Sequence, residues 1–302
     1  MDFSTVTQQV IVIFLIMLIG VVCTKRKILN QDISKGLCDL LINVTIPFTI
    51  ISSFNQNLSC SELMEAFHVM VFGFMSHIIS ILLGWIMYRK YESRSKKVLW
   101  FITVFSNCGF MGFPLLESVF GKIGIFYGSV YLCVANLFTW TFGQMLFTGQ
   151  KDMQSFKKGF FNPGITAIFI GLMMFFSPIK LPSAVLQVID MMGLLTTPLA
   201  MIIIGIMLAE VKYKEIFSGT QIYYGTIVRL ILMPVLTILA LKAMGISGAL
   251  LGVCTLVMAM PAASISVIFA EMFNGDAILA SKIVVVSTAL SIITIPLMVL
   301  LL

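Results

Sequence analysis

Ser106-Asn107-Cys108-Gly109-Phe110-Met111-Gly112-Phe113-Pro114 interrupts an apolar run, Val98 to Phe120, that otherwise reads as one membrane-spanning helix. Pro114 removes a backbone donor and crowds the preceding turn. Gly109 and Gly112 weaken the helix and let other groups approach the backbone closely. In hydrocarbon, freed N–H and C=O groups must find partners, so a broken span is tolerated only against protein or water. Such interruptions, when they come in matching pairs, mark the binding sites of secondary transporters. The chain therefore has to supply a second break.

Around this stretch the composition admits one class. Of 302 residues, 59% are hydrophobic and 11% are charged, against roughly a quarter charged in soluble domains. Ten apolar runs are expected to span a membrane: about 6–23, 33–54, 66–88, 98–120, 123–148, 163–178, 183–208, 221–241, 248–271 and 279–301. The chain reads as an all-α, polytopic membrane protein with one integral domain over 1–302. The first run is followed by Lys25-Arg26-Lys27 rather than a small-residue cleavage site, so it is expected to be retained.

Net charge is +6, but its distribution speaks against nucleic acid. The loops after spans 1, 3, 5 and 7 hold thirteen basic residues: Lys25, Arg26, Lys27, Arg89, Lys90, Arg94, Lys96, Lys97, Lys151, Lys157, Lys158, Lys212 and Lys214. The opposite loops hold three, Lys122, Lys180 and Lys242. This asymmetry puts the odd loops in the cytoplasm and both termini outside. Cys23, Cys38, Cys60, Cys108, Cys133 and Cys254 show no paired ligand spacing, so neither disulfides nor a metal site is expected.

The second break lies in an internal repeat. Asp39 and Pro47 stand 151 residues before Asp190 and Pro198, and Thr45 matches Thr196 at the same offset. Pro114 precedes Pro261 by 147, which pairs the opening stretch with Met258-Ala259-Met260-Pro261-Ala262-Ala263. Five spans per repeat gives the halves opposite topology. Two inverted five-helix repeats, about 1–150 and 151–302, with broken helices 4 and 9, are thus expected.

Few side chains offer chemistry. Asn107 either contacts a substrate or bonds carbonyls freed by the break, and both roles can coexist. Half-helix N-termini at the break would offer N–H groups and positive dipole ends to an anion. Asn43 shares a helix face with Asp39 and Pro47 and reads as a substrate or helix-crossing contact. Asp39 and Asp190 lie near opposite ends of their spans, where snorkelling or a loop contact is the plain reading. Arg229, inside the eighth span, needs a carbonyl, an acidic partner or an anionic substrate. His77 matches Arg229 at an offset of 152, and His68 lies near the outer end. Either histidine could shuttle protons, against the plainer role of helix contact. Asn136, Trp140 and Gln144 share a face, and Ser287, Thr288, Ser291 and Thr294 precede Pro296 as a small polar stripe suited to close packing. HExxH, GxSxG, Walker A and GxGxxG motifs are absent, so no enzyme, cofactor or ATP-driven pump is expected.

Taken with its order and spacing, this set resembles the auxin efflux carrier family in its bacterial branch. Ser106 to Leu115 is similar to the family's NxGFxGxPL motif. Thr197-Pro198-Leu199-Ala200-Met201 with Gly205, Met260-Pro261-Ala262-Ala263, and Ser287-Thr288 through Ser291, Thr294 and Pro296 are similar to its later motifs. The resemblance implies that helices 4 and 9 cross at mid-membrane. It also implies a scaffold of spans 1, 2, 6 and 7 that forms a homodimer contact, and a transport unit of spans 3–5 and 8–10 that moves like an elevator. The implied substrates are small organic anions, malate, malonate or auxin-like acids. Carried over by motif, Asn43, Asn107, Gly109, Pro114, Met260 and Pro261 are substrate-site positions, with Gly112, Pro47 and Pro198 shaping the crossover. Leu194 stands opposite Asn43 in the repeat register. Proton coupling, a sodium-coupled symporter of the bile-acid type, and a non-transporting sensor or intramembrane enzyme stay open as alternatives.

Overall fold

The computed structural model describes residues 3–55, 59–149, 162–176, 181–210 and 219–302. Lys151, Lys157, Lys158, Lys180, Lys212 and Lys214, which carry part of the loop-charge asymmetry, lie outside them. Among the described residues every regular element is a helix. In order these are α1 (Phe3–Lys25), α2 (Gln31–Leu40), α3 (Ile46–Phe54), α4 (Cys60–Tyr88), α5 (Ser93–Val104), α6 (Phe113–Phe138) and α7 (Gln144–Thr148). They continue with α8 (Pro163–Phe176), α9 (Ser183–Leu194), α10 (Thr196–Glu210), α11 (Thr220–Ile227), α12 (Met233–Ala243), α13 (Gly248–Ala259), α14 (Ile265–Met272) and α15 (Ala277–Leu300).

Seven described helical segments are long and apolar enough to cross a membrane: Val6–Lys25, Asp32–Phe54, Cys60–Tyr88, Cys108–Thr148, Ser183–Ala209, Thr220–Ala243 and Ala277–Leu300. The difference from ten expected runs has local causes. Pro163–Phe176 and Gly248–Ala259 are apolar but short. Cys108–Thr148 is too long for one crossing, and Gly121 inside α6 has φ 61° and ψ −147°, which turns the chain between the fourth and fifth expected runs. A side chain there would be strained in that left-handed backbone.

Helix starts follow ordinary capping. Asn30 accepts from the Ile33 amide at 2.9 Å, Asp276 from Leu279 at 2.9 Å, and Asn162 from Ile165 at 3.0 Å. Ser59 and Glu62 form a capping box at the start of α4. Three prolines inside spans share one device, whereas Pro296 sits inside α15 without it. Pro47, Pro114 and Pro234 each follow a five-residue π turn, Leu41–Thr45, Cys108–Gly112 and Val228–Leu232, and each sits in the first turn of the helix after it. Widening the turn removes the clash with the preceding carbonyl.

The helices pack in two sets. α1 lies along α10, while α3 packs on α8 and α9. At the α1–α10 crossing Gly20 and Gly205 bring backbones together: a Cβ on Gly205 would strike the Met17 carbonyl oxygen, and one on Gly20 would lie 2.5 Å from the Ile202 oxygen. In the second set α4 packs on α5 and α6, α13 on α12 and α15, and α15 on α11 and α14. α1 and α3 also touch α6, and α1 touches α15, which joins the sets.

Candidate functional site

The two broken stretches meet. α5 ends at Val104, and Phe105 is extended (φ −109°, ψ 120°). α13 ends at Ala259, and Met260 is extended (φ −61°, ψ 147°), as a residue preceding proline prefers. The chain thus leaves helical geometry at Phe105, nine residues ahead of Pro114, which itself sits compatibly at the start of α6. Ser106 and Ala262 form an antiparallel bridge. The Asn107 amide donates to the Pro261 carbonyl at 2.8 Å, and the Ala263 amide to the Phe105 carbonyl at 3.2 Å.

Other freed groups find partners nearby. The Asn107 carbonyl accepts from Met111 (3.2 Å) and Gly112 (3.1 Å). The Ala262 amide donates to Ser287 Oγ at 3.2 Å, which donates to the Val284 carbonyl at 3.1 Å. Arg229 is wholly buried, 0% exposed. Its Nη1 donates to the Thr103 carbonyl at 3.0 Å and its Nε to Met260 at 3.2 Å, while Nη2 bonds the Met258 carbonyl. Thr103 closes the last turn of α5, and Met258 and Met260 close α13, so one guanidinium caps two helix ends whose carbonyls lack intrahelical partners. Of the three partners the sequence left open for Arg229, the structure supplies carbonyls.

The opposite side of the junction differs. There the Asn107 side chain, 6% exposed, donates through Nδ2 to Ser264 Oγ at 3.3 Å, linking the starts of the two following half-helices. Gly109, Phe110, Ser264 and Ile265 are half-buried rather than sealed. Helix starts present unpaired N–H groups and positive dipole ends. The junction therefore has a closed side holding two C-termini and an open side holding two N-termini. Gly109 and Gly112 make no enforced close approach: an added Cβ would meet Leu132 at 3.8 Å at the first and Cys108 at 3.5 Å and Met260 at 3.6 Å at the second.

Other expected positions lie elsewhere. Asn43 is exposed, donates to the Asp39 carbonyl at 2.9 Å, and lines a groove of about 360 Å³ with Pro47, Asn162, Pro163 and Thr166. Pro198 sits in the first turn of α10. His77 is buried, with Nδ1 2.7 Å from the Gly73 carbonyl and its ring stacked on Phe138 at 4.8 Å, the helix-contact role. His68 is exposed. Trp140 packs on Phe269, with ring centroids 5.7 Å apart.

A second polar region joins the two helix sets. A cavity of about 270 Å³ is lined by Thr49, Ser52, Glu117, Lys122 and Asp190 among others. Lys122 Nζ lies 3.1 Å from Asp190 Oδ1, Ser52 Oγ donates to the same oxygen, and Thr197 Oγ1 donates to Glu117 Oε2 at 3.1 Å. Thr49 Oγ1 lies 3.0 Å from the Gly193 carbonyl and 2.7 Å from Thr196 Oγ1. The sequence reading passed over Glu117 and Ser264. Glu117 had a signal, an acidic residue inside an apolar span. Ser264 had only its position after the second break. Among the described residues no group of three acidic, histidine or cysteine side chains could hold a metal.

Comparison with known proteins adds the lineage. The sequence model of the family described as "Membrane transport protein" matches residues 5–157 and 152–299. The chain is 24% identical to an uncharacterized transporter of Methanocaldococcus jannaschii, over 95% of this chain and 96% of that one. It is 25% identical to an uncharacterized transporter of Methanothermobacter thermautotrophicus, over 98% of each.

Proposed function

Because the chain belongs to the membrane transport protein family, that of the auxin efflux carriers, we propose that it is a secondary transporter of small organic anions, carboxylates such as malate or malonate or auxin-like acids. The observation that carries this reading is the two-sided junction of Ser106 with Ala262. Two half-helix starts, linked by Asn107 and Ser264, form a half-open site suited to a carboxylate without a charged side chain. In this reading Asn107 and Gly109 meet the substrate, Pro114, Met260 and Pro261 shape the backbone, and Arg229 acts on the far side. Asn43 belongs to the separate groove.

The proposed path has ten spans in two inverted five-helix repeats. α5 with the start of α6 forms the fourth, and α13 with α14 the ninth. Spans 1, 2, 6 and 7 form a scaffold and homodimer contact, and spans 3–5 and 8–10 carry the crossover in an elevator-type motion. The packing of α1 on α10 and of α3 on α8 and α9 supports that partition. The protein sits in the cell membrane with both termini outside, and acts without cofactor or catalysis.

Flux of labelled malate, malonate and indole-3-acetate into proteoliposomes, with no gradient, a sodium gradient or a pH gradient, tests this. Flux that needs sodium assigns the symporter alternative. Flux that follows pH assigns proton coupling. No carboxylate movement under any gradient sinks the reading.

A further inference from the structure

We propose that Arg229 is the positioning residue of the crossover, and that its positive charge, beyond its hydrogen bonds, holds the two broken helices in register. A helix end carries about half an elementary charge, negative at the C-terminus. α5 and α13 both end against the same guanidinium, through Thr103 on one side and Met258 and Met260 on the other. Two like partial charges brought together in a buried, low-dielectric setting repel one another. Their sum is about one negative charge, which a single guanidinium offsets. The three bonds of Arg229 all go to backbone carbonyls, and neither ion pair among the described residues, Lys35–Asp32 or Lys122–Asp190, involves it.

The residue is built in rather than incidental. It lies in the π turn Val228–Leu232, whose widened backbone precedes Pro234, and π turns of this kind recur at functional sites. Thr103 is itself fixed, its Oγ1 donating to Leu99 at 2.9 Å and lying 2.8 Å from the Tyr88 hydroxyl. With the C-terminal charges cancelled, the positive starts of the following half-helices stand unopposed on the open side. Arg229 thus polarises the junction without touching what binds there.

Hydrogen–deuterium exchange of the full-length protein in nanodiscs tests this through the bridge amides of Asn107 and Ala263, a readout that does not need a substrate. Arg229→Lys keeps the charge with fewer fixed donors, and Arg229→Gln keeps neutral donors. Peptides covering 103–108 and 258–265 should exchange about tenfold faster in Arg229→Gln, as loss of a charge-assisted bond implies, and distinctly less so in Arg229→Lys. Peptides from α1 and α10 should match wild type. Equal behaviour of the two variants, wild-type protection in Arg229→Gln, or a rise of the same size in α1 and α10 overturns the proposal. Should Arg229→Gln fail to fold, a folded, protected Arg229→Lys supports it and an unfolded one overturns it.

Discussion

The crossover and the Lys122–Asp190 cavity are both polar regions inside an apolar protein, and they solve that problem in opposite ways. At the crossover the backbone groups freed by two helix breaks bond to each other, to Ser287 and to Arg229, while the Ser106 hydroxyl is buried without a partner. In the cavity the polar groups are side chains, and Lys122 and Asp190 remain 45% and 41% exposed. Burial raises the cost of an unmade hydrogen bond to about 1–3 kcal/mol, whereas an exposed ion pair contributes about 0–1 kcal/mol. Breaking the backbone bonds of the crossover therefore costs more than breaking the exposed pair. The cavity joins the two helix sets by bonds weak enough to be exchanged.

Substitutions can break that contrast, beginning where the effect is largest. Asn107→Ala removes the side chain that links the two half-helix starts, and carboxylate flux should fall by about ten- to a hundredfold, the worth of one or two hydrogen bonds to a charged group. The protein should still insert and elute as a folded species in detergent, since the Asn107 amide keeps its bond to Pro261. Ser287→Ala orphans the buried Ala262 amide, and should cost about 1–3 kcal/mol, read as a lower thermal midpoint. Glu117→Gln keeps an acceptor for Thr197 Oγ1, so its flux should change no more than about threefold. Lys122→Ala should be the mildest for stability, within about 1 kcal/mol. Any effect of Lys122 on flux should shrink as salt rises, because exposed charges are screened over about 10 Å at 0.1 M. A large, salt-insensitive loss in Lys122→Ala would erase the distinction between the two regions.

The sequence was most informative where backbone chemistry dominates. Apolar runs announced an all-helical membrane protein, though seven described segments and not ten are of spanning length, and Pro114 and Pro261 marked the two broken stretches. The exact break points were less legible. The departure from helix comes at Phe105, and a π turn, Cys108–Gly112, lies between it and Pro114; the residues of a π turn look like those of any helix. Asp39 and Asp190, paired in the sequence at an offset of 151, also proved unequal: Asp190 meets Lys122 and Ser52, while Asp39 is exposed. A sequence period gives register, but partners depend on which neighbour the fold delivers. Arg229 shows the same limit from another side. Its need for a partner was legible from its depth, yet carbonyl partners carry no side-chain signal.

Calorimetric binding of malate, malonate and indole-3-acetate to purified wild type and Asn107→Ala tests the central claim most directly, because it separates the site from the transport cycle. The account predicts saturable binding of at least one carboxylate to wild type and its weakening by about tenfold or more in the variant. Unchanged affinity in Asn107→Ala would contradict it and move the site away from the crossover.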